Sequence, residues 1–351
     1  MEKDVKQKAL DIIQSYQGPR LRIMEVCGTH THEIFRLGIR KILPEQIELI
    51  SGPGCPVCVT PVGFIDEAIV LAVEYQAVVC TFGDLIRVPG SKSSLADARA
   101  KGANVKIVYT PMDAVDYAQE HPDQEVVFLS VGFETTTPSS CLAVSLAREK
   151  GLKNFSLLTA NKTMPSAYRL LKDSVDVYLY PGHVNAITGT ETCQSMTEEG
   201  ISGVVTGFTA NEILTALAVA VKKSKEGKPF FVNAYPRVVT KEGSKKAKEL
   251  MEQLMEPCDM EWRGLGMIPE SGMKLRKEYE EFDARKHFRM QPVVGHGNPA
   301  CRCGEVLQGK CKPSDCPCFG KACNPQHPVG ACMVSNEGAC SAYYQYGGDM
   351  K

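Results

Sequence analysis

Two cysteines stand three positions apart in a stiff, turn-rich loop, SGPGCPVC, at residues 51–58. Cys55 and Cys58 form this C-x-x-C pair between glycines and prolines, directly after the apolar run IELI. Packing alone does not require such a pairing of thiols. The pair also precedes the helical pattern GFIDEAIVLAVEY, which is where a thioredoxin-like dithiol usually lies. The spacing is therefore compatible with a redox dithiol and with a metal site.

A third cysteine, Cys27, follows the apolar run LRIMEV in the motif CGTHTH. Because ligands of parallel α/β proteins bind at the carboxyl ends of strands, Cys27 and the C-x-x-C pair are expected to share a crevice if their strands are neighbours. A helix beginning near Glu33 would point its positive end at Cys27 and favour the thiolate. His30 and His32 either exchange protons there or are ordinary loop histidines.

Polar residues follow strands of the second half of the chain in the same way. His183 follows VDVYLY in the motif PGHVNAITG, and Glu134 follows EVVFLSV in GFETTTP. Each is either a cap or turn residue, or lines the same cleft as Cys27. Asp84 and Arg87 in GDLIRVPGS are expected first as an ion pair or turn and second as part of that cleft.

Cysteine is the unusual residue of this composition, with 15 in the chain. An odd count without a visible secretion signal argues against a disulfide framework, and in a reducing compartment it favours metal binding or catalysis. Eight of the cysteines fall in the last segment: Cys301, Cys303, Cys311, Cys316, Cys318, Cys323, Cys332 and Cys340.

This tail is rich in cysteine, glycine and proline and has little apolar periodicity, so something other than a hydrophobic core is expected to hold it. Its spacing, C-x-C-x7-C-x4-C-x-C-x4-C-x8-C-x7-C, lacks both the paired knuckles usual for zinc and the run typical of bacterial ferredoxins. Thiolates among closely approaching glycines favour a [4Fe–4S] cluster over zinc or free thiols. The spacing does not select four ligands from eight.

Short apolar runs alternate with helical patterns over residues 21–222, which predicts an α/β fold with right-handed crossovers and parallel sheets. The element order repeats, so two similar α/β domains are predicted at 21–125 and 126–222. Residues 1–20 and 223–351 are assigned to a third, loop-rich and cysteine-rich domain. The length of 351 residues suits two or three domains.

The charge balance does not indicate binding to nucleic acid or to a membrane surface, because 40 basic and 41 acidic residues leave a formal net charge of −1. The N-terminus lacks the apolar core of a signal peptide, and no apolar run is long enough to cross a bilayer. No G-x-x-x-x-G-K-[ST] loop occurs, which argues against a nucleotide-driven enzyme.

Taken in order, six motifs resemble those of the HypD family of hydrogenase maturation factors: CGTHTH, GPGCPVC, TFGDLIRVPGS, GFETTTP, PGHVNAITG and FGKAC…GACMVSNEGACSAYYQYG. Each motif is short, but their order and joint presence are specific, and the likeness spans nearly the whole chain. The resemblance implies a cytoplasmic accessory protein of [NiFe] hydrogenase. It also implies two related α/β domains and a third domain that holds a [4Fe–4S] cluster.

The resemblance further implies partners and a cargo. Members of the family pair with the small chaperone HypC to form the scaffold on which the Fe(CN)2CO unit is built. Cyanide arrives from HypE, which forms a thiocyanate with help from HypF, and the finished unit passes to the hydrogenase large-subunit precursor. Two other functions compete with this one: an iron–sulfur thiol–disulfide reductase acting on a protein partner, and a structural zinc protein.

The resemblance assigns roles residue by residue. Cys27 would help hold the iron with HypC, and Cys55 and Cys58 would bind iron or cycle as a disulfide. His30 and His183, the latter in the family's PGHV motif, would move protons or hydrogen-bond a cyanide nitrogen. The family pattern best suits four cluster ligands, of which Cys332 or Cys303 could replace one: Cys301, Cys316, Cys323 and Cys340.

Overall fold

The structure is a computed structural model that describes residues 2–291 and 293–347, with only the backbone of residues 2–4. Eleven strands are present in these residues: β1 Leu21–Glu25, β2 Ile47–Ser51, β3 Val78–Thr81, β4 Val105–Ile107, β5 Val126–Gly132, β6 Phe155–Asn161, β7 Val177–Pro181, β8 Gly203–Thr206, β9 Phe231–Asn233, β10 Met255–Trp262 and β11 Gly266–Leu275.

The helices of the same residues are α1 Glu2–Gln14, α2 Gly28–Arg36, α3 Val62–Val73, α4 Leu95–Ala100, α5 Pro111–Glu120, α6 Thr137–Glu149, α7 Met164–Leu171, α8 Gly182–Thr188, α9 Glu191–Ser195, α10 Ala210–Ser224, α11 Lys245–Leu254, α12 Ala284–His287, α13 Cys303–Leu307 and α14 Ala339–Tyr346. None of these helices is long and apolar enough to span a bilayer.

The strands build two parallel sheets, which confirms the α/β fold class. Sheet A has the order β2-β1-β7-β8-β9, and its register pairs Ile23 with both Leu49 and Val177. Helices α1 and α10 pack together beside it, and α10 begins at a capping box formed by Thr209 and Glu212. A core of aliphatic side chains from these helices and strands covers that face of the sheet.

Sheet B has the order β4-β3-β5-β6. Strands β5 and β6 are the central apolar runs, and all seven residues of each strand are buried. Such continuous burial is typical of parallel strands that helices cover on both faces. Helices α5 and α6 pack on β5 from one side, while α3 packs on β3.

Sheet membership cuts across the predicted ranges 21–125 and 126–222. Strands β1 and β2 belong with β7 and β8, and β9, which lies beyond residue 222, completes sheet A. Sheet B takes strands from both predicted ranges. The cause is that a β-α-β rhythm has the same pattern whether a helix returns the chain to the same sheet or carries it to another.

The rest of the chain is an antiparallel hairpin and a loop-rich tail. Strands β10 and β11 form the hairpin, and the Trp262 indole N–H donates to the Ser271 hydroxyl at 2.8 Å in its buried interior. The hairpin segment contains several glycines and has little apolar periodicity, so the sequence did not predict these two strands. Within described residues 293–347, only the short helices α13 and α14 are α-helical, as the composition indicated.

Candidate functional site

Cys27 lies between the end of strand β1 and the first turn of helix α2. Its backbone is extended, with φ −145° and ψ 129°, and its thiol makes no cap hydrogen bond to the first turn of α2, although the backbone N–H groups of His30 and Thr29 lie close enough to lower its pKa. Burial nevertheless raises the pKa of this thiol to about 11, because desolvation outweighs the effect of those N–H groups. The expectation that the helix end would favour the thiolate is therefore wrong for the protein without metal.

The C-x-x-C loop packs directly on the Cys27 loop. Strands β1 and β2 are neighbours, as the shared crevice required, and the Gly28 N–H donates to the Gly54 carbonyl at 3.0 Å. A Cβ at Gly54 would lie 2.1 Å from the Cys27 nitrogen, so only glycine permits this approach. Cys55 and Cys58 follow Gly54 in the chain and are both buried. The Cys58 N–H donates to the Cys55 sulfur at 3.3 Å.

His30 and His183 meet on either side of Phe208. The His30 ring stacks on Phe208 with centroids 4.7 Å apart, and the His183 ring lies 4.0 Å from the same ring. Their elements converge because β1, β7 and β8 are adjacent in sheet A. His30 is fully buried whereas His183 is exposed, so only one of the two predicted histidines lies inside the protein. Sequence reasoning missed Phe208, for which no signal stood out.

The protonation of His30 follows from its surroundings. Its Nε2 lies 2.9 Å from the Gly207 carbonyl, which can only accept, so Nε2 carries the proton. Burial first, and then the nearby His183, lower the pKa of His30 to about 4. Its Nδ1 is buried without a hydrogen-bond partner among the described residues. His30 is thus a neutral imidazole with an acceptor nitrogen.

Glu134 approaches the same region from the end of strand β5. Its Oε1 accepts the Met164 N–H at 3.0 Å, while Oε2 has no partner among the described residues. Burial raises the pKa of this carboxyl to about 7. Tyr168 is buried and interacts with both Glu134 and Cys27. Burial is the main cause that raises the pKa of its phenol, and the charges of these two groups, among others, raise it further. Glu134 and Cys27 therefore both act on the Tyr168 phenol.

Six tail cysteines line one small cavity of about 10 Å³ together with Phe319, Gly330 and Met333: Cys301, Cys303, Cys316, Cys323, Cys332 and Cys340. The four cysteines predicted as cluster ligands are among them, and so are both alternatives. Cys311 and Cys318 are not part of this lining.

Backbone groups approach the sulfur atoms of this cavity closely. The Arg302 N–H donates to the Cys316 sulfur at 3.5 Å, and the Val329 N–H donates to the Cys323 sulfur at 3.3 Å. A Cβ at Gly330 would stand 2.7 Å from the Cys301 sulfur. N–H groups directed at cysteine sulfur are the interactions that tune iron–sulfur clusters.

The donor set therefore fits an iron–sulfur cluster. No group of three or more His, Cys, Asp or Glu side chains in residues 2–291 and 293–347 is arranged as a preformed metal site. The cavity has about the volume of one water molecule, so its thiols would have to move apart to admit a cluster.

A chain of thiol contacts joins this cavity to the C-x-x-C pair. The Cys58 thiol lies close enough to Cys55 and to Cys332 for each of them to shift its pKa. Cys332 interacts in the same way with Cys303 and Cys340, and Cys303 with Cys301, and all four line the cavity. A series of neighbouring thiols thus connects the C-x-x-C loop to the cysteine-rich tail. Cys332 and Cys303 lie between Cys58 and the other cysteines of the cavity.

The tail also contacts the Cys27 loop. The Thr29 hydroxyl donates to Glu337 at 2.7 Å, and His32 Nδ1 lies 3.2 Å from the Asn336 carbonyl. Arg87 donates to the carbonyls of Pro325 and Val334 at 3.1 and 3.2 Å, so its guanidinium group holds two points of the tail. Glu337 lies in the tail motif VSNEGAC, but the sequence did not show which residue it binds.

A family model described as "HypD: Hydrogenase formation hypA family" matches residues 4–347. Hydrogenase maturation factor HypD of Escherichia coli strain K12 is 45% identical over 341 residues, which cover 95% of this chain and 91% of that protein. Hydrogenase expression/formation protein HupD of Azotobacter chroococcum is 42% identical over 338 residues, with coverages of 93% and 89%. HypD of Cupriavidus necator is 41% identical over 345 residues, with coverages of 94% and 90%. The chain therefore belongs to the HypD family of hydrogenase maturation proteins.

Proposed function

We propose that this chain, together with the small chaperone HypC, is the scaffold on which the Fe(CN)2CO unit of [NiFe] hydrogenase is assembled. Its family membership supports a role in hydrogenase maturation. The observation that carries the finer proposal is the contact between Cys58 and Cys332, because it joins the loop beside Cys27 to the cysteines of the tail.

The iron cargo would bind at Cys27. Low-spin Fe(II) that carries cyanide and carbon monoxide suits electron-donating thiolate ligands. Cys27 is half-buried at the strand ends, so a thiol of HypC would complete the site at the interface between the two proteins. Because burial raises the pKa of Cys27 to about 11, iron has to displace the thiol proton as it binds.

The C-x-x-C pair would supply electrons for cyanide transfer. Release of cyanide from a thiocyanate of HypE is a reduction: R–S–C≡N takes up two electrons and yields R–S⁻ and C≡N⁻. Cys55 and Cys58 would provide them, because two thiols that join as a disulfide release two electrons and two protons. The Cys58 N–H bonded to the Cys55 sulfur keeps the two groups close enough for that bond to form.

The tail cysteines would divide into two groups. Four would hold a [4Fe–4S] cluster, which supplies one-electron transfer when bound: Cys301, Cys316, Cys323 and Cys340. The N–H groups at Cys316 and Cys323 and the close approach of Gly330 to Cys301 support three of these. Cys303 and Cys332 contact each other, and Cys332 contacts Cys58, so they would relay electrons to the C-x-x-C pair.

His30 would act as a hydrogen-bond or proton acceptor beside the iron. Its Nδ1 is the free nitrogen, and it carries no proton, so it does not donate a hydrogen bond to a cyanide nitrogen. The exposed His183, which shares the Phe208 ring, would exchange protons with solvent.

Infrared spectroscopy with metal analysis tests the proposed function. The chain is isolated anaerobically with HypC, HypE and HypF co-produced, and the expected result is iron together with cyanide and carbonyl stretches. A colourless protein that contains zinc and no iron would instead support a structural zinc protein.

The thiol chain also favours a second candidate, an iron–sulfur thiol–disulfide reductase that acts on a protein partner. Such an enzyme uses the same contacts from the tail cavity through Cys332 to Cys58. It has no use for an iron bound at Cys27. Iron in the tail without cyanide or carbonyl stretches would favour the reductase over the scaffold.

A further inference from the structure

A large open groove runs between the edge of sheet A and the tail. It has a volume of about 850 Å³, and we name it the basic groove. One wall is the edge strand β2 with residues 40–43 before it, and the other is the tail segment 306–315 with Tyr343. Neither the iron cargo nor the cysteine cavity accounts for it.

The groove is basic although the chain as a whole carries a formal net charge of −1. Its acidic lining residues are only Glu48 and Asp315, and six are basic: Arg20, Arg22, Arg40, Lys41, Lys310 and Lys312. Glu48 pairs with Arg20 at 2.9 Å and lies 3.6 Å from Arg22, so one carboxylate serves two guanidinium groups. The ammonium groups of Lys310 and Lys312 are exposed on the opposite wall.

The tail wall of the groove lies close to the cysteine cavity. Tyr343 lines the groove, and its ring is 5.6 Å from the ring of Phe319, which lines the cavity. Cys311 also lines the groove and is near enough to the cavity residue Cys316 for the two thiols to interact electrostatically. A redox centre docked here would thus stand close to the tail cysteines.

We propose that the basic groove docks an acidic, low-potential, one-electron carrier protein that reduces the thiol system through the tail. The proposal rests on the proposed function, in which each cyanide transfer consumes two electrons. Charge complementarity selects the acidic partner, and the adjoining cavity selects a carrier of electrons. Two reduced carriers lose one electron each, and the Cys55–Cys58 disulfide gains both electrons and two protons to return to two thiols.

The test measures binding and electron transfer with a plant-type [2Fe–2S] ferredoxin as the probe, because it is acidic and has a low potential. The variant Lys310→Glu/Lys312→Glu reverses two exposed charges of the groove. Its matched control, Lys228→Glu/Lys246→Glu, makes the same change in net charge at exposed lysines outside the groove. The dissociation constant is measured by calorimetry at low and high salt, and ferredoxin oxidation by stopped-flow absorbance.

The groove variant is expected to weaken binding at least tenfold at low salt and to slow ferredoxin oxidation by a similar factor. The control variant should stay within about twofold of the unmodified chain, and the difference should shrink as salt rises from about 20 mM to about 300 mM. Equal losses in both variants, or no change in either, would overturn the docking proposal. Binding that weakens without slower ferredoxin oxidation would also overturn it, because the groove would then hold an acidic protein that is not the electron donor.

The outcome is separable from that of the proposed function. One outcome would contradict the docking site and leave the scaffold function intact: the complex with HypC shows cyanide and carbonyl stretches, but the groove and control variants bind ferredoxin equally. Absence of these stretches from the unmodified complex would sink the scaffold function, whatever the groove binds.

Discussion

The thiol of Cys58, in the loop after the second strand, lies beside the thiol of Cys332 in the cysteine-rich tail, within one buried cluster. Both side chains are almost fully buried, so solvent does not separate them. The contact places the loop that follows β2 against the tail, so that the Cys55–Cys58 pair lies next to a cysteine of the cavity lining. In the proposed function, this contact is the basis for treating Cys332 as a relay thiol and not as a cluster ligand.

Substitution of Cys332 should leave the cluster in place, whereas substitution of Cys316 should remove it. Cys332→Ser removes a thiol that contacts Cys58 and Cys303, while Cys316→Ser removes one that accepts a backbone N–H in the manner of a cluster ligand. Iron and sulfide analysis of anaerobically purified variants is the measurement. We expect near-normal iron in Cys332→Ser and little in Cys316→Ser.

Cys318→Ser is the control for these variants, because Cys318 is a buried tail cysteine outside the cavity lining. It should keep its iron. If Cys332→Ser loses iron as Cys316→Ser does, Cys332 is a ligand and the relay assignment fails.

Gly330→Ala should lower both the iron content and the stability of the tail. An added Cβ would stand 2.7 Å from the Cys301 sulfur, and the backbone at Gly330 has an ordinary extended φ of −121°, so the cost is steric alone. Overpacking of this kind costs about 1–3 kcal/mol. Urea unfolding and iron analysis measure the two effects.

The matched control is Gly297→Ala, where the nearest atom to the new Cβ would be the Val62 Cγ2 at an ordinary 3.6 Å. It should change little. Equal iron content in both variants would show that the tail accommodates a methyl group beside Cys301.

The chemistry-bearing motifs were predictable because each follows an apolar strand run, and parallel strands present their carboxyl ends at one edge. Cys27, Cys55 and Cys58 lie where this rule placed them. The partition of strands between the two sheets was not predictable, because it depends on the pairing of β1 with β7. Helical and strand periodicities carry no information on such long-range pairing.

Burial explains the remaining differences. His30 and His183 look alike in the sequence, each just after a strand, yet one is buried and the other is exposed. A helix after Cys27 was visible in the pattern, although it begins at Gly28 and not near Glu33, but the desolvation that raises the pKa of the Cys27 thiol was not. Desolvation depends on the tail packed against that loop, which is far away in the sequence.

Glu134 should make the protein less stable as the pH rises through neutrality. Burial raises the pKa of its carboxyl to about 7, above the usual value of the unfolded chain, so the folded state binds the proton more tightly. This contribution is fully present below about pH 4.5 and is lost by about pH 8, with a size of about 3 kcal/mol. The free energy of unfolding in urea across this range measures it.

Glu134→Gln should abolish that loss, because an amide keeps the acceptor for the Met164 N–H and does not ionise. Glu120→Gln makes the same substitution at an exposed helix end and should leave the pH profile unchanged. Parallel profiles for Glu134→Gln and the unmodified chain would rule out this role for the buried carboxyl.

His30 should have the opposite effect on the pH dependence of stability, because it should make the protein less stable as the pH falls. Burial lowers its pKa to about 4, below the usual value of about 6.5 in an unfolded chain, so the unfolded state binds the proton more tightly. Stability is therefore lost as the pH falls from about 6.5 towards 4. His30→Gln keeps a donor for the Gly207 carbonyl and should flatten that part of the profile.

Exposed His327 provides the control for this substitution, and His327→Gln should keep the acid-side loss. The measurement is again urea unfolding, now at several pH values between about 4 and 7. An undiminished acid-side loss in His30→Gln would place the responsible group elsewhere.

The most direct test of the account is the infrared spectrum of the Cys27→Ala variant, isolated anaerobically with HypC beside the unmodified chain. Cys258→Ala is the control, because Cys258 is a half-buried cysteine of the β10–β11 hairpin outside the site. We predict cyanide and carbonyl stretches in the unmodified complex and in Cys258→Ala, and none in Cys27→Ala, with tail iron retained in all three. Undiminished stretches in Cys27→Ala would contradict an iron-holding role for Cys27.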